Sequence, residues 1–127
     1  MQKLFFISGA ILGGLAVALG AYGAHGGHEI LAQHNALITF GKAVRYQMHH
    51  AIMLVIVALA IASWKEQIKL LNIAGWLFLT GIILFSGSLY IIAFAQIKMG
   101  YVTPLGGIAF VGGWLTLAYA GYTAKIK

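Results

Sequence analysis

The chain has no cysteine and only two acidic side chains, Glu29 and Glu66. Without cysteine it forms no disulfide bond and has no thiolate nucleophile or thiolate metal ligand. Both acids fall in connecting segments. The chain therefore lacks the buried carboxylate that a small proton-coupled exporter needs, and it has no acid placed to orient a histidine in a hydrolytic triad. We expect no enzyme, no catalytic residue and no cofactor.

Charge of either sign is scarce, whereas hydrophobic residues make up 61% of the 127 residues. This composition is far from that of a soluble domain. Four segments carry no charge at all: 4–28, 46–64, 70–97 and 99–124. Each accommodates the roughly 20 apolar residues that cross a hydrocarbon core of about 30 Å. The sequence therefore predicts four membrane spans.

The spans are expected to be helices, because backbone polar groups inside lipid must be satisfied within the segment and no barrel-like alternation occurs. We predict an all-α integral membrane four-helix bundle that forms one domain over residues 1–127. The predicted spans are about 4–24, 43–64, 71–95 and 104–123.

Between the first two spans the composition is mixed, with Ile30, Leu31, Leu37 and Ile38 recurring at helical spacing among polar residues. This pattern predicts a short amphipathic helix over about 29–40 that lies in the membrane interface.

Small residues recur at helical spacing in the first span, as Gly9 with Gly13 and Ala10 with Gly14. Such a stripe permits the close approach of a neighbouring helix. The alternative is that these glycines are simply tolerated in a membrane helix.

The distribution of basic residues predicts an orientation. Four crossings place both termini on one side, which holds Lys3, Lys65, Lys69, Lys125 and Lys127, against Lys42, Arg45 and Lys98 on the other. The positive-inside rule then favours a multi-pass plasma-membrane protein with both termini in the cytoplasm. Since the basic residues flank the spans, the net charge of +6 indicates contact with lipid headgroups and no nucleic-acid partner.

Polar side chains of the second and third spans are predicted to share one depth. At 1.5 Å per residue, His50 lies about 10 Å below the start of its helix. Tyr90 reaches a comparable depth, with Ser86 one turn deeper. Polar groups at such depth are functional candidates. The alternative is a purely structural role, in which these side chains hydrogen-bond between helices while Arg45 extends to the headgroups.

The fourth span is predicted to open with Thr103 as its N-cap and Pro104 in the first helical position. This opening exposes backbone donors and the positive end of the helix on the same side as Arg45. Arg45, Thr103, Gly106 and Gly107 are therefore candidates for binding a headgroup or a small anion. The same motif also serves as a sharp helix start.

Histidine spacing suggests a metal site as an alternative, in His25 with His28 and in His49 with His50. Adjacent residues on a helix point about 100° apart, however, so this spacing is weak evidence. Haem held by histidines of two helices is a further alternative. We expect no metal.

Four motifs resemble those of the YgdD/YwdK family, small membrane proteins of bacteria with animal relatives. They are GAYGAH at 20–25, YQMHH at 46–50, FSGSLY at 85–90, and TPLGG at 103–107 with Gly113-Trp114. The resemblance covers nearly the whole chain. It implies a four-helix membrane protein, and it brings no established activity, substrate or cofactor.

The resemblance also implies which polar residues matter. The family pattern touches His25, Tyr46, Gln47, His50, Ser86, Ser88, Tyr90, Thr103 and Pro104. It does not require His28, His34, Arg45 or His49. Of the candidates, His25, Gln47, His50, Ser86 and Tyr90 are expected to form an interhelical polar cluster.

Together these observations predict a polytopic membrane protein that binds or passes a small polar ligand or a lipid headgroup at an outer-leaflet His/Gln/Tyr/Ser cluster. The alternative is a structural or accessory subunit whose cluster only fixes helix packing. The expected partner is the lipid bilayer, with a second copy or another membrane protein left open.

Overall fold

The structure, a computed structural model, describes residues 1–125, and these contain helices and connections but no strand. Lys127, which entered the charge count, lies outside the described residues. Four helical segments of residues 1–125 are long and apolar enough to cross a membrane. The helices are α1 (Gln2–Ala24), α2 (His28–Gln33), α3 (Leu37–Ser63), α4 (Ile68–Gly81), α5 (Gly87–Ala95) and α6 (Val102–Thr123). The predicted all-α membrane fold is confirmed.

The third span consists of several helical pieces joined end to end. A 3₁₀ turn (Lys65–Gln67) leads into α4, and a π-helical turn (Ile82–Ser86) joins α4 to α5. The pieces follow one another without a break over 31 residues, Lys65–Ala95. A π turn holds one residue more than an α turn, and π turns inside α-helices are frequent at functional sites.

The helix between the first two spans is half as long as predicted. It covers His28–Gln33, whereas residues 34–36 form a turn and residues 37–40 are the first turn of α3. The break falls at Asn35, whose φ of 50° lies in the left-handed region that asparagine tolerates better than most residues. As a result α3 has 27 residues and a length of about 40 Å, which exceeds the hydrocarbon core by about 10 Å.

The helices are arranged with α3 and the third span in the centre and the other two spans outside. Helix α1 packs mainly on α3, and α6 packs mainly on α4 and the π turn. A Cβ at Gly9 would lie 2.7 Å from the carbonyl oxygen of Ala51, whereas Gly14 has open space around it. The stripe through Gly9 therefore lets α1 approach α3 within the chain.

Hydrogen bonds join α3, α4 and α6 at the end of the bundle that holds the chain termini. Gln67 Nε2 donates to the carbonyl oxygen of Thr123 at 3.2 Å, and Thr123 Oγ1 donates to Gln67 Oε1 at the same distance. The backbone N–H of Lys125 donates to Glu66 Oε1 at 3.1 Å. The α3–α4 connection is thus tied to the end of α6.

Candidate functional site

Gln47 is the centre of the polar residues in the half of the bundle that lies away from the chain termini. Its side chain is only 2% exposed. Gln47 Nε2 donates to the carbonyl oxygen of Leu12 in α1 at 2.8 Å, and Tyr90 Oη in α5 donates to Gln47 Oε1 at 2.6 Å. One amide therefore ties three helices together in a region without competing water.

Two serines extend this connection. Ser86 is fully buried, and its hydroxyl donates to the carbonyl oxygen of Ala43 at 2.7 Å. Ser88 donates to the carbonyl oxygen of Phe85 at 2.9 Å and shares a short hydrogen bond with Thr103 of α6. We refer to Gln47, Ser86 and Tyr90 as the polar clasp, because each bonds across a helix interface.

His50 belongs to a second, separate group. Its Nδ1 lies 2.7 Å from the carbonyl oxygen of Tyr46, and its Nε2 lies 3.0 Å from Trp114 Nε1. A carbonyl only accepts and an indole N–H only donates, so the hydrogen of the neutral ring must sit on Nδ1. Both ring nitrogens are thus occupied, and in this arrangement neither is free to bind a metal or a ligand.

Aromatic rings surround His50 and fill the space between α3 and α6. The imidazole stacks on Phe110 with 3.5 Å between ring centroids and 9° between planes. Tyr46 lies against Phe85 at 4.8 Å, and Trp114 lies edge-on to Phe78 at 5.6 Å. These rings, rather than backbone contact, bridge α3 and α6.

Two neighbouring cavities lie on the outer side of this aromatic layer. One, of about 730 Å³, runs along α6 from Pro104 to Leu115. The other, of about 550 Å³, lies along α3 between Arg45 and Ile52. Tyr46 and Trp114 line both cavities, and we refer to the pair as the lateral groove.

Arg45 and His49 line the α3 cavity, and both side chains are exposed. Neither of the two acidic residues lines this cavity. Glu66 instead accepts a bond from Lys125 at the opposite end of the molecule.

The other histidines are not gathered with His50. His25 was expected in the cluster, but it ends α1 as an exposed cap residue, because the chain turns there toward α2. His28 is also exposed, while His34 Nδ1 bonds the carbonyl oxygen of Ala93 at 3.0 Å and anchors α2. Among residues 1–125, no three His, Cys, Asp or Glu side chains are grouped to hold a metal ion.

The opening of α6 differs from the prediction. Tyr101, not Thr103, is the cap residue, and the helix begins at Val102. Pro104 is nevertheless within the first turn, where backbone N–H groups have no partner inside the helix to lose. Gly106 is packed against the backbone of Phe85 and is closed to an anion, whereas Gly107 lines the larger cavity.

Phe110 and Trp114 were not among the predicted site residues. They lie four residues apart on α6 and so share one helix face, and Trp114 belongs to one of the four family motifs. That this face meets His50 depends on which helices are neighbours, and the spacing contains no such information.

Replacing Trp114 with phenylalanine is expected to lower the free energy of unfolding by about 1 kcal/mol, because His50 Nε2 loses its donor. Trp76→Phe is a matched control, since Trp76 is 45% exposed against 46% for Trp114. Denaturant titration in mixed micelles measures both variants. Equal losses would contradict a role for the indole N–H.

Comparison with known proteins identifies close relatives. The chain is 45% identical to the UPF0382 membrane protein YwdK of Bacillus subtilis, covering 94% of this chain and 96% of that protein. It is 44% identical to a UPF0382 membrane protein of Staphylococcus aureus, covering 95% and 97%. A UPF0382 membrane protein of Haemophilus influenzae is 40% identical over 98% of each chain. No solved structure matches.

A family sequence profile described as "Protein of unknown function (DUF423)" matches residues 19–107. The matched range contains the polar clasp and the whole α3 side of the lateral groove. The profile match and the relatives confirm the family resemblance that was predicted from the four motifs. The chain therefore belongs to the DUF423 family of membrane proteins of unknown function.

Proposed function

We propose that this multi-pass membrane protein binds a phospholipid in the lateral groove between α3 and α6. The headgroup lies toward the outer ends of the helices, and the acyl chains lie along the aromatic layer. The observation that carries the proposal is the pair of adjoining cavities, which share Tyr46 and Trp114 and have a floor of aromatic rings.

The position and size of the groove support a lipid occupant. Its rim on α6 includes Ile108 and Leu115, both 67% exposed on a helix that crosses the membrane. Both cavity volumes fall within the range of roughly 300–1,000 Å³ that is typical of small-molecule sites. An apolar groove at this depth is in contact with acyl chains wherever the protein sits in a bilayer.

The ligand is placed beside His50 and not within the polar clasp. Gln47 and Ser86 are buried and already bonded inside the protein, so a ligand entering there would have to break helix contacts. The polar clasp favours a second candidate function, a structural or accessory subunit in which these bonds fix helix packing. The two functions use different residues.

We further propose that the protein lies in the plasma membrane with both termini in the cytoplasm. Lys3, Lys65, Lys69 and Lys125 lie at the inner ends of the spans, against Lys42, Arg45 and Lys98 at the outer ends. The positive-inside rule supports this direction. The lateral groove then faces the outer leaflet.

A plugged groove tests the proposed function. Val111→Trp places a bulky side chain in the larger cavity, and Val17→Trp on α1 is a matched control, with exposures of 59% and 62% for the two valines. Native mass spectrometry of protein extracted from phospholipid bilayers measures the fraction with bound lipid. We expect Val111→Trp to lower this fraction several-fold and Val17→Trp to leave it unchanged.

Two results would contradict phospholipid binding in the groove. Equal lipid retention by the two variants would show that the retained lipid lies elsewhere. A dimer in the same spectra that only Val111→Trp disrupts would assign the groove to a second copy of the chain and favour the accessory candidate.

A further inference from the structure

In the part of the chain that the structure describes, Arg45 is the only basic side chain apart from the histidines that lines the lateral groove. It follows the first residue of α3, Leu37, by eight positions, and therefore lies about 12 Å along the helix. Because α3 exceeds the hydrocarbon thickness by about 10 Å, this position is at the boundary between headgroups and acyl chains. Its cation is thus at phosphate depth.

Among residues 1–125, no carboxylate lines the groove beside Arg45. The acidic side chains of the sequence are Glu29 and Glu66, and both lie elsewhere. A long basic side chain at this depth extends its charged end to the headgroup oxygens. The negative charge that is available there belongs to lipid phosphates, outside the protein.

The groups around Arg45 favour an acceptor with several oxygens. A guanidinium has five N–H donors and no acceptor, and its fork matches phosphate oxygens. His49 and the half-exposed Tyr46 lie beside it. A zwitterionic headgroup would also bring an ammonium, for which the groove has no carboxylate.

We infer that the lateral groove selects phospholipids with a net negative headgroup, whose phosphate oxygens accept hydrogen bonds from Arg45. The inference rests on the proposed function and adds the class of lipid. It also assigns a role to Arg45 that the family resemblance leaves open.

The test uses bilayers of equimolar phosphatidylglycerol and phosphatidylcholine with identical acyl chains. Native mass spectrometry counts each lipid that remains on the extracted full-length protein. We expect about fivefold enrichment of phosphatidylglycerol, the preference that one cation at the headgroup level supplies. Arg45→Gln should return the ratio to that of the bilayer, while Arg45→Lys should keep most of the preference.

Lys42→Gln is the matched control, because it removes the same charge from an exposed position on α3 outside the groove. It should keep the enrichment. An equal loss in Lys42→Gln and Arg45→Gln would overturn the inference, since the net charge would then be responsible. A preference that survives in Arg45→Gln would also overturn it.

Failure of this inference is distinguishable from failure of the proposed function. If the unmodified protein retains both lipids equally and Val111→Trp still displaces them, the groove binds phospholipid without selecting its charge. If Val111→Trp displaces nothing, both the proposed function and the inference are wrong. Equal thermal midpoints of Arg45→Gln and the unmodified protein check that the variant is folded.

Discussion

Replacing Gln47 with leucine is expected to lower the free energy of unfolding by about 2 kcal/mol, because two interhelical hydrogen bonds are lost together. Leucine fills a similar volume but leaves the hydroxyl of Tyr90 without its acceptor and removes the second donor from the carbonyl of Leu12, which keeps its bond within α1. Denaturant titration in mixed micelles, followed by far-UV circular dichroism, measures the change.

Tyr90→Phe separates the two bonds of Gln47. It removes only the hydroxyl, so we expect a loss of about 1 kcal/mol, and the double variant should lose less than the sum of the single losses. Tyr119→Phe is a control on the lipid-facing side, where Tyr119 is 57% exposed. Additive losses in the double variant would show that Tyr90 and Gln47 do not act as a pair.

Replacing Gly106 with alanine is expected to lower the free energy of unfolding by about 3 kcal/mol, as in overpacked cores. The added methyl group meets the backbone nitrogen and Cα of Phe85, which no side-chain rotation can move aside. Helix α6 would have to shift away from the π turn. Thermal unfolding in detergent measures the loss.

Gly107→Ala is the matched control for this substitution. The neighbouring glycine has the same helical environment, but a Cβ there would lie 3.9 Å from the ring of Phe85, an ordinary contact. We expect it to change stability by less than about 0.5 kcal/mol. Similar losses for Gly106→Ala and Gly107→Ala would show that close approach to Phe85 is not the cause.

The sequence was sufficient to predict four helices that can cross a membrane, because charge-free segments define where lipid can surround the chain. It also grouped Gln47, Ser86 and Tyr90 as polar residues of neighbouring spans, and two of them, Gln47 and Tyr90, bond each other. Their bonding partners were not predictable in full. Gln47 and Ser86 bond backbone carbonyls of Leu12 and Ala43, and every residue type carries such a carbonyl.

Other features depend on tertiary contacts that local patterns do not record. The stretch 82–86 reads as ordinary apolar helix, yet it forms a π turn. His50 was grouped with Tyr90, but it faces the rings of α6 instead. By contrast, the end of α2 at Asn35 was readable in principle, because asparagine is enriched in left-handed turns.

The π turn in the third span has one more consequence. Its extra residue rotates the side chains of α5 by about 100° relative to those of α4. The two halves of this span therefore present different faces to the neighbouring helices. In α5, Tyr90 bonds Gln47 of α3, while in α4, Phe78 packs against the indole of Trp114 in α6. Deleting a single residue there would restore a continuous helix and misalign one half with its neighbours, so the length of this segment is as constrained as its composition.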